Sequence, residues 1–294
     1  MALRVGLDSR PDISCQRDRH RHTYRVSNAS STAGDDQPDI PQRWLTPGVG
    51  GIGAASFLAD LGHEVPTALL PSLLTSTLGA PAAALGLIEG LADALAGAAR
   101  FGGGALADDP ERRRSIAVGG YASTAVLSSA IGLASAAWQV GVLRAGAWFA
   151  RGVRVPARNA LLADIVPPAV YGRAYGFERA MDNLGAIGGP LLALGLVAAL
   201  GVRSAIVLSA IPGLLAAAAI VYAIRHAPAL ARRQRQPLRI RVQPVLQGDL
   251  GRLMVAVAMF ELGNVAATLL ILRATQLLAA PYGARIATTL ALIL

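Results

Sequence analysis

Carboxylates and a guanidinium set inside long apolar stretches are the residues that could do chemistry in this chain. Asp60 and Glu64 stand in one such stretch, Glu89 and Asp93 in the next, Arg144 in the fourth, Asp182 in the fifth, and Glu261 with Asn264 in the seventh. A charge at mid-bilayer costs at least about 2.5–3.5 kcal/mol on insertion scales, so each of these groups calls for a partner or a wet cavity. The i, i+4 spacing of Asp60 with Glu64, and of Glu89 with Asp93, puts each pair on one helix face. At a rise of about 1.5 Å per residue, Arg144 lies roughly 10 Å below the outer face, within one or two turns of Glu64, Glu89 and Asp93. Arg144 is then the one deep cation among several deep acids, and Glu64 is its first expected partner. The acids outnumber what one arginine can neutralise. That excess favours a polar cavity in which carboxylates exchange protons or hold a cation, with Arg144 tuning them, over a purely structural ion pair. His63 lies about 100° round the helix from its neighbours, so a relay role is open to it but not favoured.

The elements that position these groups are apolar helices. The hydrophobic set makes up 53% of the 294 residues and charged residues only 15%, with a mean hydropathy of +0.47; soluble domains carry about 25% charge. Apolar blocks at 50–78, 82–107, 116–137, 138–155, 180–200, 204–224 and 253–278, with an eighth opening near Ile286, match the roughly 20 residues a helix needs to cross about 30 Å of hydrocarbon. Gly79-Ala80-Pro81 and Ala280-Pro281-Tyr282-Gly283 are helix-stopping turns between antiparallel neighbours. Glycines within the spans permit close helix approach. A bundle of Ala-rich soluble helices is the alternative, and spans this long and uniform disfavour it.

Arginine supplies all 27 basic residues. Seven fall in 1–47, three in 108–115, five in 151–179 and seven in 225–252, against Arg203 and Arg285 on the opposite side. Arg100 and Arg273, near the ends of their spans, can snorkel to the headgroups. The bias puts the N-terminus and the basic segments in the cytoplasm, at a cytoplasmic membrane. The net charge of +9 is then a partner for the lipid surface, not for nucleic acid. Residues 1–47 are polar and read as a disordered tail. The single cysteine, Cys15, excludes an internal disulfide and any cysteine-based metal cluster. No cofactor, metal or catalytic residue is indicated: HExxH, GxSxG and phosphate-cradling Gly-Lys-Ser/Thr patterns are missing, which disfavours an intramembrane enzyme or direct ATP coupling.

After the second block the chain reads Gly104-Ala-Leu106-Ala107-Asp108-Asp109-Pro110-Glu111-Arg112-Arg113-Arg114. This resembles the loop motif G-x-L-A-D-R-x-G-R-[KR] between helices 2 and 3 of major facilitator superfamily transporters, with Asp109 and Glu111 departing from it. The run from Arg151 to Asp164, followed by Tyr171 to Phe177, looks like that family's loop between helices 4 and 5. Gly188-Gly189-Pro190 resembles the helix kink of its antiporters, although Ala193-Leu194 replaces the glycine pair that would follow. The resemblance covers about residues 48–294. It implies an all-α polytopic fold: a six-helix N-terminal bundle at 48–224, a basic central loop at 225–252, and helix 7 with part of helix 8 at 253–294, where the chain stops before the fold is complete. It further implies a conformational latch of Gly104, Asp108, Arg112 and Arg113, centred on Asp108 and Arg112 with Asp164 as partner, and a kink at Gly189 and Pro190. The expected activity is secondary transport of a small molecule such as a drug or metabolite, coupled to protons and carried out by a monomer. A non-transporting membrane fragment or scaffold is the alternative.

Overall fold

The computed structural model describes residues 44–227, 248–262, 266–282 and 291. The side chain of Glu261, together with Asn264, Arg285, the span expected from Ile286 and most of the tail and central loop, lies outside the described residues.

Local chemistry sets the helix limits. Helix α1 (Pro47–Ser72) starts where the Thr46 hydroxyl accepts from Val49 N at 3.4 Å, with Pro47 in the first turn. A π-turn at Leu73–Thr77 closes it, and Gly79, at φ +66°, turns the chain into α2 (Ala82–Ala107). Helix α3 (Pro110–Ala130) follows after two residues and ends in a 3-10 turn, Ile131–Leu133. Helix α4 (Ala137–Ile165) begins where Gln139 Oε1 accepts from Ser135 N at 2.7 Å and Ala136 N at 3.3 Å. Helix α5 (Tyr171–Leu200) stops at Gly201, φ +81°, whose N–H returns to Val197 O. Helices α6 (Val202–Leu208) and α7 (Ala210–Arg225) meet at Ser209, and α8 (Gly248–Leu262) and α9 (Ala267–Tyr282) follow. Arg203 donates to the carbonyls of Gly132 and Ala134 (3.1 and 2.7 Å), tying α6 to the end of α3.

Several boundaries differ from the sequence reading: the block at 116–137 is a helix from Pro110 to Ala130 with a 3-10 turn after it, and the block at 204–224 is two helices, α6 and α7. Helix α4 runs ten residues beyond Val155 and passes through Pro156. Helix α5 begins at Tyr171, not Ala180, and the stretch read as one helix at 253–278 is two, α8 and α9. Proline is tolerated in membrane helices because neighbouring groups satisfy the carbonyl it leaves free.

Among the described residues four stretches, Ala82–Ala107, Arg112–Leu133, Pro168–Leu200 and Val202–Arg225, are long and apolar enough to cross a membrane. Helices α1 and α4 are equally long but carry charges along their middles. α1 packs chiefly on α5 and α7, and α4 on α2 and α3. Bare glycines close these contacts. A side chain at Gly185 would strike Phe57 O, one at Gly189 would strike Glu64 Cβ, and one at Gly103 would come within 2.7 Å of Val153 Cα.

The core is divided. One apolar cluster gathers Val49, Ile52, Ala55, Ala117, Leu161, Leu162, Ala216 and Ile220; another gathers Val65, Leu69, Leu73, Leu85, Ile131, Val140 and Ile206. Along α1, Asp60, His63 and Glu64 fall between the two; along α3, Thr124 and Ser128 do; along α4, Arg144, Arg151 and Arg154. A polar layer therefore crosses the bundle between two apolar halves.

Candidate functional site

Helix α4 organises the polar layer. Arg144, Arg151, Arg154 and Arg158 are separated by seven, three and four residues, which sets all four on one helix face. Arg144 is completely buried. Its Nη2 lies 3.1 Å from both Glu89 oxygens, its Nη1 donates to Thr67 Oγ1 at 3.0 Å, and its guanidinium stands 3.4 Å over the Trp148 ring. One turn from Trp148, Arg151 sits 3.2 Å from Asp60. Arg158 reaches Glu178 at 2.8 Å and Asp182 at 3.3 Å, and donates to Ser56 Oγ at 2.9 Å, while that hydroxyl donates onward to Glu178 at 2.9 Å. Arg179 adds a second cation to Asp182 at 3.0 Å. Arg154 rests 4.1 Å over the Tyr121 ring. Buried guanidinium groups persist when their donors and charge are both met, and these geometries meet most of them.

Two expectations are corrected here. Arg144 is not the one deep cation, because Arg151, Arg154 and Arg158, counted with the cytoplasmic segment in the sequence, sit buried or half-buried on the extended α4. Nor does Arg144 pair with Glu64; its partner is Glu89, because α4 lies against α2 and only sparsely against α1. Depth along a helix says how far in a charge is, not which neighbour it faces.

With those pairs assigned, two carboxylates of the layer have no arginine partner among the described residues. Glu64, 24% exposed, has the His63 ring beside it, with Nε2 at 3.7 Å. Asp93, exposed on α2, accepts a hydrogen bond from Trp148 Nε1 at 2.7 Å. The His63 ring lies 4.3 Å from that of Trp148, so Trp148 touches Arg144, Asp93 and His63 at once. Asp60 and Asp182, candidates for proton exchange in the sequence, are both held by arginine. Thr67, Ser56, Trp148 and Glu178 went unnoticed in the sequence. The i, i+4 spacing of Glu178 with Asp182 was a readable signal for the last of them. Among the described residues no three His, Cys, Asp or Glu side chains converge as a metal would require.

At the other end of α4, Asp164 is ion-paired, and its partner is Arg113. Arg113 is buried and also donates to Ala107 O at 2.7 Å, which joins the C-terminus of α2 to α3 and α4. Of the two residues expected at the latch centre, Asp108 is exposed, and Arg112, 60% exposed, faces Asp109 at 3.4 Å. Gly104 touches nothing within 4 Å where a Cβ would stand; the close contact belongs to Gly103. Gly189 and Pro190 lie within an unbroken α5, and Gly189 serves the approach to α1.

A sequence profile of the Major Facilitator Superfamily matches residues 52–293. The chain belongs to the major facilitator superfamily. Uncharacterised proteins of Mycobacterium tuberculosis and Mycobacterium bovis are each 32% identical over 179 residues, covering 60% of this chain and 44% of theirs. An uncharacterised MFS-type transporter of Methanocaldococcus jannaschii is 30% identical over 144 residues, 49% of this chain and 35% of its own. The chain spans less than half the length of the curated relatives it matches. Superfamily membership agrees with the all-helical architecture and the apolar spans.

Proposed function

We propose that the chain contributes the proton-handling helices of a secondary transporter that moves a small solute, in the efflux direction, across the cytoplasmic membrane. One observation carries this reading. Of the carboxylates in the polar layer, Glu64 and Asp93 are the ones that no arginine holds among the described residues, and both reach the bundle surface. A carboxylate clamped by a guanidinium is held as a structural ion pair, as Glu89, Glu178 and Asp182 are here. One without fixed counter-charge is free to gain and lose a proton as its surroundings change from wet to dry.

In this reading Trp148 is a positioning residue. Its indole N–H fixes the Asp93 carboxylate, and its ring lies under Arg144 and against His63, so a change of charge at Asp93 is felt across α1, α2 and α4. The Arg113 to Asp164 pair acts as the latch at the cytoplasmic end. The arginine-rich segments around 112–114 and 225–252 support placing that end, and the N-terminus, in the cytoplasm.

The test is a panel of small solutes presented to proteoliposomes that hold the chain and a trapped pH-sensitive dye. Solute-evoked proton movement is expected in the unmodified protein, strongly reduced in Glu64→Gln and Asp93→Asn. Trp148→Phe keeps the ring but loses the donor, and is expected to displace the pH profile of flux. Solute movement without protons, or coupling unchanged in both acid variants, refutes the proposal.

A further inference from the structure

Arg154 is the one arginine of the α4 stripe without an ion pair among the described residues, although it is 2% exposed. The ring of Tyr121 beneath it recovers only part of what a guanidinium loses on leaving water. Its surroundings are unusual. An internal pocket between α1, α3, α4 and the start of α7, with room for about one water-sized guest, is lined by Arg154, His63, Tyr121, Thr124, Ser128 and Ser209. Two of these present buried polar atoms with no hydrogen-bond partner: His63 Nδ1 and Ser128 Oγ. The hydroxyls of Thr124 and Ser209 are already committed as donors, to Gly120 O at 2.7 Å and Ile206 O at 2.6 Å. Orphaned groups of this kind call for an explanation, because a buried polar atom left unpaired is costly.

The charges facing the pocket decide what fits. From α4 comes Arg154, flanked by Arg151 and Arg158, whose charges are met by Asp60 and by Glu178 with Asp182. From α1 comes His63; α3 and α7 add only hydroxyls. The pocket therefore offers one cation with no ion pair among the described residues, together with O–H and N–H groups that can turn toward a guest, and no carboxylate among its lining residues. Its size admits a single atom or a water, not a polyatomic acid.

We propose that this pocket binds a small monovalent inorganic anion of chloride's size, held by Arg154 with Ser128 and His63 completing its shell. The anion supplies the counter-charge that Arg154 lacks and locks α3 and α4 to α1 at mid-bundle. It is a structural ion of the helix bundle, separate from the proton-handling acids, and the assay below reads binding at equilibrium, so it stands or falls independently of the transport reading.

The probe is chloride itself. The thermal unfolding midpoint of the purified chain in detergent is measured in sodium chloride and in sodium gluconate at equal ionic strength, and again with bromide. The expected result is a saturable rise with chloride or bromide over gluconate. Losing one hydrogen bond to a charged guest weakens binding about tenfold, so Ser128→Val shifts the half-saturating chloride concentration upward by about that factor. Arg154→Gln abolishes the response. Because Arg154→Gln removes a buried group that also packs on Tyr121, Ser128→Val carries the decision if that variant does not fold. Equal midpoints in chloride and gluconate mean the pocket holds only water and overturn the proposal. So does a chloride response that Ser128→Val leaves unchanged, which assigns the effect to other sites.

Discussion

Removing Arg144 tests the assignment of the polar layer most directly. The side chain is fully buried, meets Glu89 at 3.1 Å and Thr67 at 3.0 Å, and stacks on Trp148 at 3.4 Å. Arg144→Met keeps much of the volume but leaves Glu89 buried without its counter-charge, a loss of about 3–5 kcal/mol for breaking one side of a buried pair. The cation–π contact, worth about 0.5–2 kcal/mol, lies within that figure, since such terms do not add. Glu89→Leu alone strands the guanidinium and costs a similar amount. Because the penalty belongs mainly to the stranded partner, the double variant recovers most of it and unfolds within about 1–2 kcal/mol of the unmodified chain. The assay is equilibrium unfolding in mixed detergent, followed by circular dichroism, for the full cycle of Arg144→Met with Glu89→Leu and a parallel cycle with Glu64→Gln. The expected coupling is about 2–4 kcal/mol for the Glu89 cycle and below about 0.5 kcal/mol for the Glu64 cycle. A larger coupling to Glu64, or Arg144→Met within about 0.5 kcal/mol of the unmodified protein, refutes the reasoning.

Gly189→Leu forces a side chain into Glu64 and is expected to destabilise the α1–α5 contact by about 1–3 kcal/mol or more, while Gly195→Ala, with open space around it, leaves the unfolding midpoint in place. Arg113→Ala, which breaks the pair with Asp164 and the bond to Ala107 O, lowers that midpoint by several degrees; Arg112→Ala, largely exposed, changes it little. For orientation, Arg233→Cys in a Cys15→Ser background stays unreactive to an impermeant thiol reagent added outside intact cells, and labelling from outside reverses the proposed topology.

Where local punctuation was strong, the sequence was enough. Helix α2 occupies Ala82–Ala107 in the structure as in the apolar pattern, because Pro81 before it and Asp108-Asp109-Pro110 after it leave little choice. Pro156 misled for the opposite reason. It is a helix breaker in water, yet α4 continues through it to Ile165, which carries Arg158 onto the same helix as Arg144, Arg151 and Arg154. Their seven, three and four spacing was already a one-face pattern, visible without any structure. The identity of each partner was not. Glu64 and Glu89 are comparably deep, and only the packing of α2 on α4 selects Glu89. Likewise Asp108 and Arg112 carry the family resemblance, whereas the buried pair uses the adjacent Arg113, a choice set by which face of α3 turns toward α4.

The arrangement of charges also bears on why these helices adopt these neighbours. Lipid tails are as apolar as leucine, so burying apolar surface does little to choose between helix pairings; close packing and polar pairs must do it. The glycines of α5 supply close packing against α1. Helix α4 approaches α1 and α5 only sparsely, yet its arginines reach Asp60 on α1, Glu89 on α2, and Glu178 and Asp182 on α5. Long side chains thus connect three helices to one through four acids at different levels. A shift of any of these helices by one turn, about 5.4 Å, would leave at least one of these charges unpaired in a dry interior. On this argument the pairs specify register more than they add stability. The double variant of Arg144 and Glu89 should then fold with nearly normal stability but tolerate alternative pairings of α2 against α4. Disulfide crosslinking between cysteines placed along those two helices would register the difference as a broader set of products, and a set as narrow as the unmodified protein's would mean that packing alone fixes the register.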